Sequence, residues 1–99
     1  ALLTACSAPM EILRACAEAI DLMAEYAAKG SRLALSDAGA GAALLKGALQ
    51  AASLNIYINA KSLQDRAAAD RLTAEADRLV AEYGAKADEI FSAVQREIR

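Results

Sequence analysis

Few residues in this chain carry groups able to do chemistry. Histidine is absent, so the two cysteines, Cys6 and Cys16, have no imidazole to join. That removes the usual zinc sets and any cysteine–histidine nucleophile pair, and no metal is expected. The thiols read as small buried hydrophobes. More informative is the run from Asp37 to Lys61, where the only intervening charge is Lys46 and where Gln50, Asn55 and Asn59 supply amides. On a helix advancing about 100° per residue, Lys46, Gln50, Ser53 and Tyr57 share one stripe. Asn55 falls about 180° from Lys46, and Asn59 lies one turn beyond it. Their companions on that side are Gly41, Leu44 or Leu45, Ala48 and Ala52, so both amides are expected to face the apolar interior of a bundle. A buried amide without a partner costs about 1–3 kcal/mol, so each must be answered by a neighbouring helix, by water or by a ligand. Spacing leaves these answers open.

Asp37 precedes Asn55 by five helical turns, which separates them by about 27 Å along an axis. One reacting atom cannot touch both. Three readings follow: a long ligand spanning them, Asp37 as a helix cap, or two sites within an assembly. The small residues Ala38 to Ala43 open the same helix, and its glycines each lower intrinsic helicity by about 1 kcal/mol relative to alanine. Close approach of another helix or of a ligand would compensate.

The elements that must position these groups are helical. Of the 99 residues 57% are hydrophobic, much of that alanine, and proline occurs once, a mixture that favours helices over strands and allows one core. Ala1 to Cys6 reads as the tail of a preceding helix, with an interruption at Ser7-Ala8-Pro9. A helix then carries Glu11, Arg14, Glu18, Asp21, Glu25 and Lys29 on its wet side and Ile12, Leu13, Cys16, Ile20, Met23 and Ala27 opposite, with Gly30 as its terminator. The charge-poor helix starts at a Ser36 or Asp37 cap, runs to about Ala60 and belongs at the centre of the bundle. A third helix opens at a capping-box-like Ser62-Leu63-Gln64-Asp65 and continues along Leu72, Ala76, Leu79 or Val80, Tyr83, Ala87, Ile90 or Phe91, Val94 and Ile98. Its length of about 50 Å exceeds the roughly 35 Å of the middle helix, so the excess needs another surface. Gly84 marks either a bend or a solvent-facing position. The expected fold class is all-α: an antiparallel up-and-down bundle with three main helices, part of a larger bundle or dimer.

Net charge −2 with basic residues scattered singly offers no phosphate-tracking stripe, so no nucleic acid partner is expected. Gln50, Asn55 and Asn59 argue against a membrane span for the middle helix. No export leader opens the chain, and the expected location is cytoplasmic. Because the chain opens at Ala1 inside an apolar helical pattern, a missing upstream part is expected.

The blocks Lys29-Gly30-Ser31, Ser36-Asp37-Ala38-Gly39 and Asn55-Ile56-Tyr57-Ile58-Asn59-Ala60-Lys61-Ser62-Leu63-Gln64-Asp65 resemble the cyclodeaminase/cyclohydrolase family of folate one-carbon metabolism. That pattern has KGN before SDxG, then a small-residue helix ending in NVxINLKSLxD. Ser31 departs from it. The resemblance covers essentially residues 1–99, as the C-terminal half of a domain whose upstream half carries a PGGGS-type segment absent from these residues. It implies an elongated antiparallel bundle, usually dimeric. The implied substrate is a tetrahydrofolate derivative with a one-carbon unit at N5 or bridging N5 and N10. A cyclodeaminase closes the formimino form with loss of ammonia; a cyclohydrolase opens the methenyl ring with water. Carried onto this chain, the resemblance points to Asp37 for proton transfer or pterin bonding, Asn55 and Asn59 as polar contacts, and Lys61 for a folate carboxylate. The competing expectation is a noncatalytic helical module that dimerises through the small-residue helix, its asparagines fixing register.

Overall fold

The computed structural model describes residues 2–29 and 32–99. Three helices follow one another: α1 (Leu2–Lys29), α2 (Arg32–Lys61) and α3 (Arg66–Ile98). They form the expected antiparallel bundle, a rod of 50 × 17 × 16 Å with α2 in the middle, packed along both neighbours. The polar ties between helices report its register. Arg14 pairs with Glu75, and Asp21 with Tyr83 and Lys86, so α1 and α3 advance together. Lys46 pairs with Asp88 and Tyr57 with Asp77, so α2 runs against α3.

Leu13, Ile20, Leu49 and Ile56 are completely buried and centre the core, with Ala76, Leu79, Ala87, Ile90 and Val94 closing it from α3. Cys16 lies within it, and burial pushes its thiol above the usual range. A second cluster of Cys6, Ala60, Leu63 and Ala69 seals the end beneath the α2–α3 turn. Both cysteines are therefore buried and unbridged, as read from the sequence.

Three boundaries differ from the sequence expectation. α1 continues unbroken through Pro9. An interior proline removes one helical bond and costs about 3 kcal/mol, which the burial of Cys6 and Met10 on either side of it offsets. α2 begins at Arg32, so Ser36 and Asp37 sit in its second turn and neither caps it. The earlier start gives α2 30 residues against 33 for α3, and the excess length expected of α3 largely disappears. α3 opens one turn later than the capping-box reading: Asp65 is itself the cap, accepting from the Ala68 amide at 3.1 Å, while residues 62–64 form the turn. α3 is continuous through Gly84, which does not face solvent; it is buried, 3.9 Å from the Lys46 stem when a Cβ is placed on it. Gly30, expected to end α1, lies outside the described residues.

Candidate functional site

All four singled-out residues lie on α2. Asn55, Asn59 and Lys61 occupy its last two turns. Asn55 is exposed, Asn59 half-buried and engaged in a polar contact, and Lys61 exposed at the final residue. Asp37 is exposed near the other end. The unbroken helix holds Asp37 and Asn55 about 27 Å apart, so the chain does not bring Asp37 together with the asparagines.

The expectation that both amides face an enclosed interior is corrected. The buried side of α2 is Ala38, Ala42, Leu49, Ala52, Ile56 and Ala60. Asn55 projects about 100° away from that line, at the edge facing α1. There it borders an open apolar groove of about 390 Å³ lined by Ala8, Pro9, Ile12, Ala48, Ala51 and Ala52. Wheel geometry placed Asn55 opposite Lys46 correctly; the error was to treat that side as covered. Asp37 borders a separate groove of about 280 Å³ with Met23, Tyr26, Ala34 and Ala38.

On the opposite edge Lys46 is bound to both carboxylate oxygens of Asp88, at 2.8 and 3.0 Å. Tyr57 donates to Asp77 at 2.6 Å. Burial, with that acceptor, pushes the Tyr57 phenol up to about 12. Arg14 grips Glu75 through two hydrogen bonds of 2.8 and 2.9 Å, and this holds the Glu75 carboxyl below its usual range. Asp21 is held low chiefly by the Lys86 ammonium, with help from the Tyr83 hydroxyl. These groups spend their donors and charges on helix–helix ties.

Sequence reasoning missed Arg66. One guanidinium nitrogen donates to the carbonyl oxygens of Ala60, Lys61 and Leu63, at 3.2, 3.3 and 2.8 Å. Those carbonyls belong to the end of α2 and the following turn, where intrahelical donors run out. The signal was an arginine just beyond a helix C-terminus, where a cation satisfies both carbonyls and helix dipole. Arg66 fixes the path of the chain directly after Asn59 and Lys61.

Fold and site together define a small-residue helical bundle with its four candidate residues on the middle helix, two of them, Asp37 and Asn55, beside apolar grooves. The family model for formiminotransferase-cyclodeaminase matches residues 1–78. The chain is also 40% identical over 98 residues to a methenyltetrahydrofolate cyclohydrolase of Methylorubrum extorquens, covering 99% of this chain and 47% of that relative. The chain belongs to the formiminotransferase-cyclodeaminase family, and it spans about half the length of the curated relative it matches.

Proposed function

We propose that these residues are the C-terminal half of a folate-processing domain that opens the methenyl bridge of a tetrahydrofolate with water. The carrying observation is 40% identity across nearly the whole chain to a methenyltetrahydrofolate cyclohydrolase. Ring opening adds water to the bridging carbon through a tetrahedral intermediate, then breaks one carbon–nitrogen bond. The chemistry calls for polar groups that orient the folate and stabilise charge developing in the transition state. Asn55 and Asn59 are proposed as amide contacts, and Lys61, at the exposed end of the same helix, as partner of a folate carboxylate.

Asp37 remains a candidate for proton transfer or pterin bonding. Its distance from Asn59 within one chain means that the two could serve one reacting centre only across an assembly. The family match over residues 1–78 supports a second reading, the cyclodeaminase reaction on a formimino-substituted folate. The same residues would then assist ring closure with loss of ammonia.

The direct experiment replaces the matching segment of the Methylorubrum relative with these 99 residues. Loss of the methenyl chromophore is then followed. A folded chimera is expected to hydrolyse the methenyl compound, and Asn59→Leu is expected to preserve helicity while weakening folate binding about tenfold or more, the worth of one lost polar contact to a charged or polar ligand. A folded chimera without hydrolysis but with ammonia release from the formimino compound would select the cyclodeaminase reading. Loss of neither reaction nor binding on Asn59→Leu would remove Asn59 from the site.

A further inference from the structure

The outer side of α2 carries Ala40, Leu44, Gly47, Ala48, Ala51, Leu54 and Ile58, all exposed. Leu44 is 76%, Leu54 62% and Ile58 68% exposed, the three most exposed large hydrophobic side chains among the described residues. At about 100° per residue they fall on a single stripe centred opposite Leu49 and Ile56. The stripe widens onto both neighbours, where Ile12 of α1 and Phe91 and Ile98 of α3 are also about half exposed. A continuous apolar strip of this kind marks an interaction surface, unlike scattered single hydrophobes.

We infer that this face is the seam against an apolar, helical companion segment equivalent to the half of the Methylorubrum relative that the chain does not span. Three observations select that occupant. The relative's matched part is 47% of its length, so a segment of comparable size belongs beside it. Between Ala40 and Ile58 the strip carries no charged side chain: Lys46 is turned to the opposite edge and bound to Asp88, and Asp37 and Lys61 stand only at its two ends, so the middle of the strip offers the occupant an uncharged surface. At the centre of the strip stand Gly47, Ala48 and Ala51, and a Cβ placed on Gly47 would have no atom within 4 Å beyond its chain neighbours and its own helix backbone. Residues this small admit another helix at short range along α2. Asn55 borders the strip, so the companion would roof the groove between Asn55, Pro9 and Ile12. Resting on the folate reading, this makes the Asn55 end of the site a cleft shared between two halves.

The test co-expresses the full 99-residue chain with the companion segment of the relative and measures mass by light scattering, for wild type, for Leu44→Glu with Leu54→Glu, and for Leu22→Glu on α1. Wild type and Leu22→Glu are expected to form a one-to-one complex. The double variant is expected to keep its helicity, since both side chains are exposed, and to lose affinity by at least about 100-fold, the factor that two buried leucines supply. In the single-chain chimera the same pair should lower the melting temperature well below that of Leu22→Glu. Three outcomes would overturn the proposal: no complex together with no drop in the chimera, a complex indifferent to the double variant, or a homodimer through this strip that the companion does not displace. A complex that forms as expected but binds no tetrahydrofolate would instead defeat the folate reading and leave the seam standing.

Discussion

The inner and outer faces of α2 are built from nearly the same residues and live in opposite environments. Ala42, Leu49, Ala52 and Ile56 point inward and are almost fully buried. Half a turn away, Leu44, Ala48, Ala51, Leu54 and Ile58 point outward into the open. Both faces lack charge, and both mix small residues with leucine and isoleucine. Ordinary surface helices do the opposite, placing polar residues on the side away from the core. α1 and α3 follow that ordinary rule and carry the charged residues; α2 does not. The difference teaches that these three helices cover only one of the two charge-free sides of α2, and that asymmetry is what the proposed companion would remove.

The largest contrast is available by truncating one residue on each face. Ile56→Ala is expected to lower the stability of the chain by about 2–5 kcal/mol, because it opens a cavity at a fully buried position. Ile58→Ala, at a position 68% exposed, is expected to stay within about 0.5 kcal/mol of wild type. Urea denaturation followed by helical circular dichroism measures both. Equal losses would mean that the outer face is already packed in the chain alone.

Glycines sharpen the same comparison with a change of sign. A Cβ on Gly39 would sit 2.9 Å from Val94 Cγ1 and 3.2 Å from Val94 Cβ, a stiff branched side chain on α3. Gly39→Ala is expected to destabilise by about 1–3 kcal/mol from overpacking, less the helix propensity it regains. Gly47→Ala meets nothing and is expected to stabilise by up to about 1 kcal/mol in the chain alone. In a complex with the companion half its sign should turn, because the added methyl enters the seam. Thermal melts with and without the companion test the reversal.

The flank toward α3 supplies a smaller effect, read by pH. Tyr57 holds its proton to about 12 instead of the ordinary 10, so the folded state binds more protons than the unfolded state within that window. Its contribution is complete below about 10 and is lost as pH rises toward 12. Ultraviolet titration is expected to show a phenol near 12 that disappears in Tyr57→Phe, while Tyr83, raised by its hydrogen bond to Asp21, remains. Smallest is the acid limb. Asp21 and Glu75 are held below their ordinary values of 3.8 and 4.5, so their contribution is present above those values and fades as pH falls through the lower folded ones. Both side chains are partly exposed, 45% and 30%, which keeps each pair below about 1 kcal/mol. Asp21→Asn should flatten that limb slightly, and added salt should shrink the difference.

Much of this architecture was legible because periodicity and charge placement are local properties. The 3.6-residue spacing of Leu13, Cys16 and Ile20, and of Leu79, Ala87, Ile90 and Val94, matches the buried lines of α1 and α3. The scarcity of charge along α2 announced its central place. Helix ends were less legible. Pro9, Asp37 and Asp65 each have a local preference for a terminus, yet tertiary packing carries α1 through the first, starts α2 before the second and lets only the third act as a cap. Of the candidate site, the common angular position of Asn55 and Asn59 followed from helix geometry. Their degree of burial did not, because spacing says which residues share a side and not whether anything lies over it.

The sequence by itself determined the helical class, the order of the elements, and the family, since these depend on residue spacing along one chain. Only the tertiary structure decided which charge-free side of α2 is core and which is surface, how Arg66 binds the carbonyls after Lys61, and that Asp37 stands apart from Asn55. Those outcomes depend on where neighbouring helices lie in space, and a rigid helix converts each position in the chain into a fixed distance and direction that no local preference can alter.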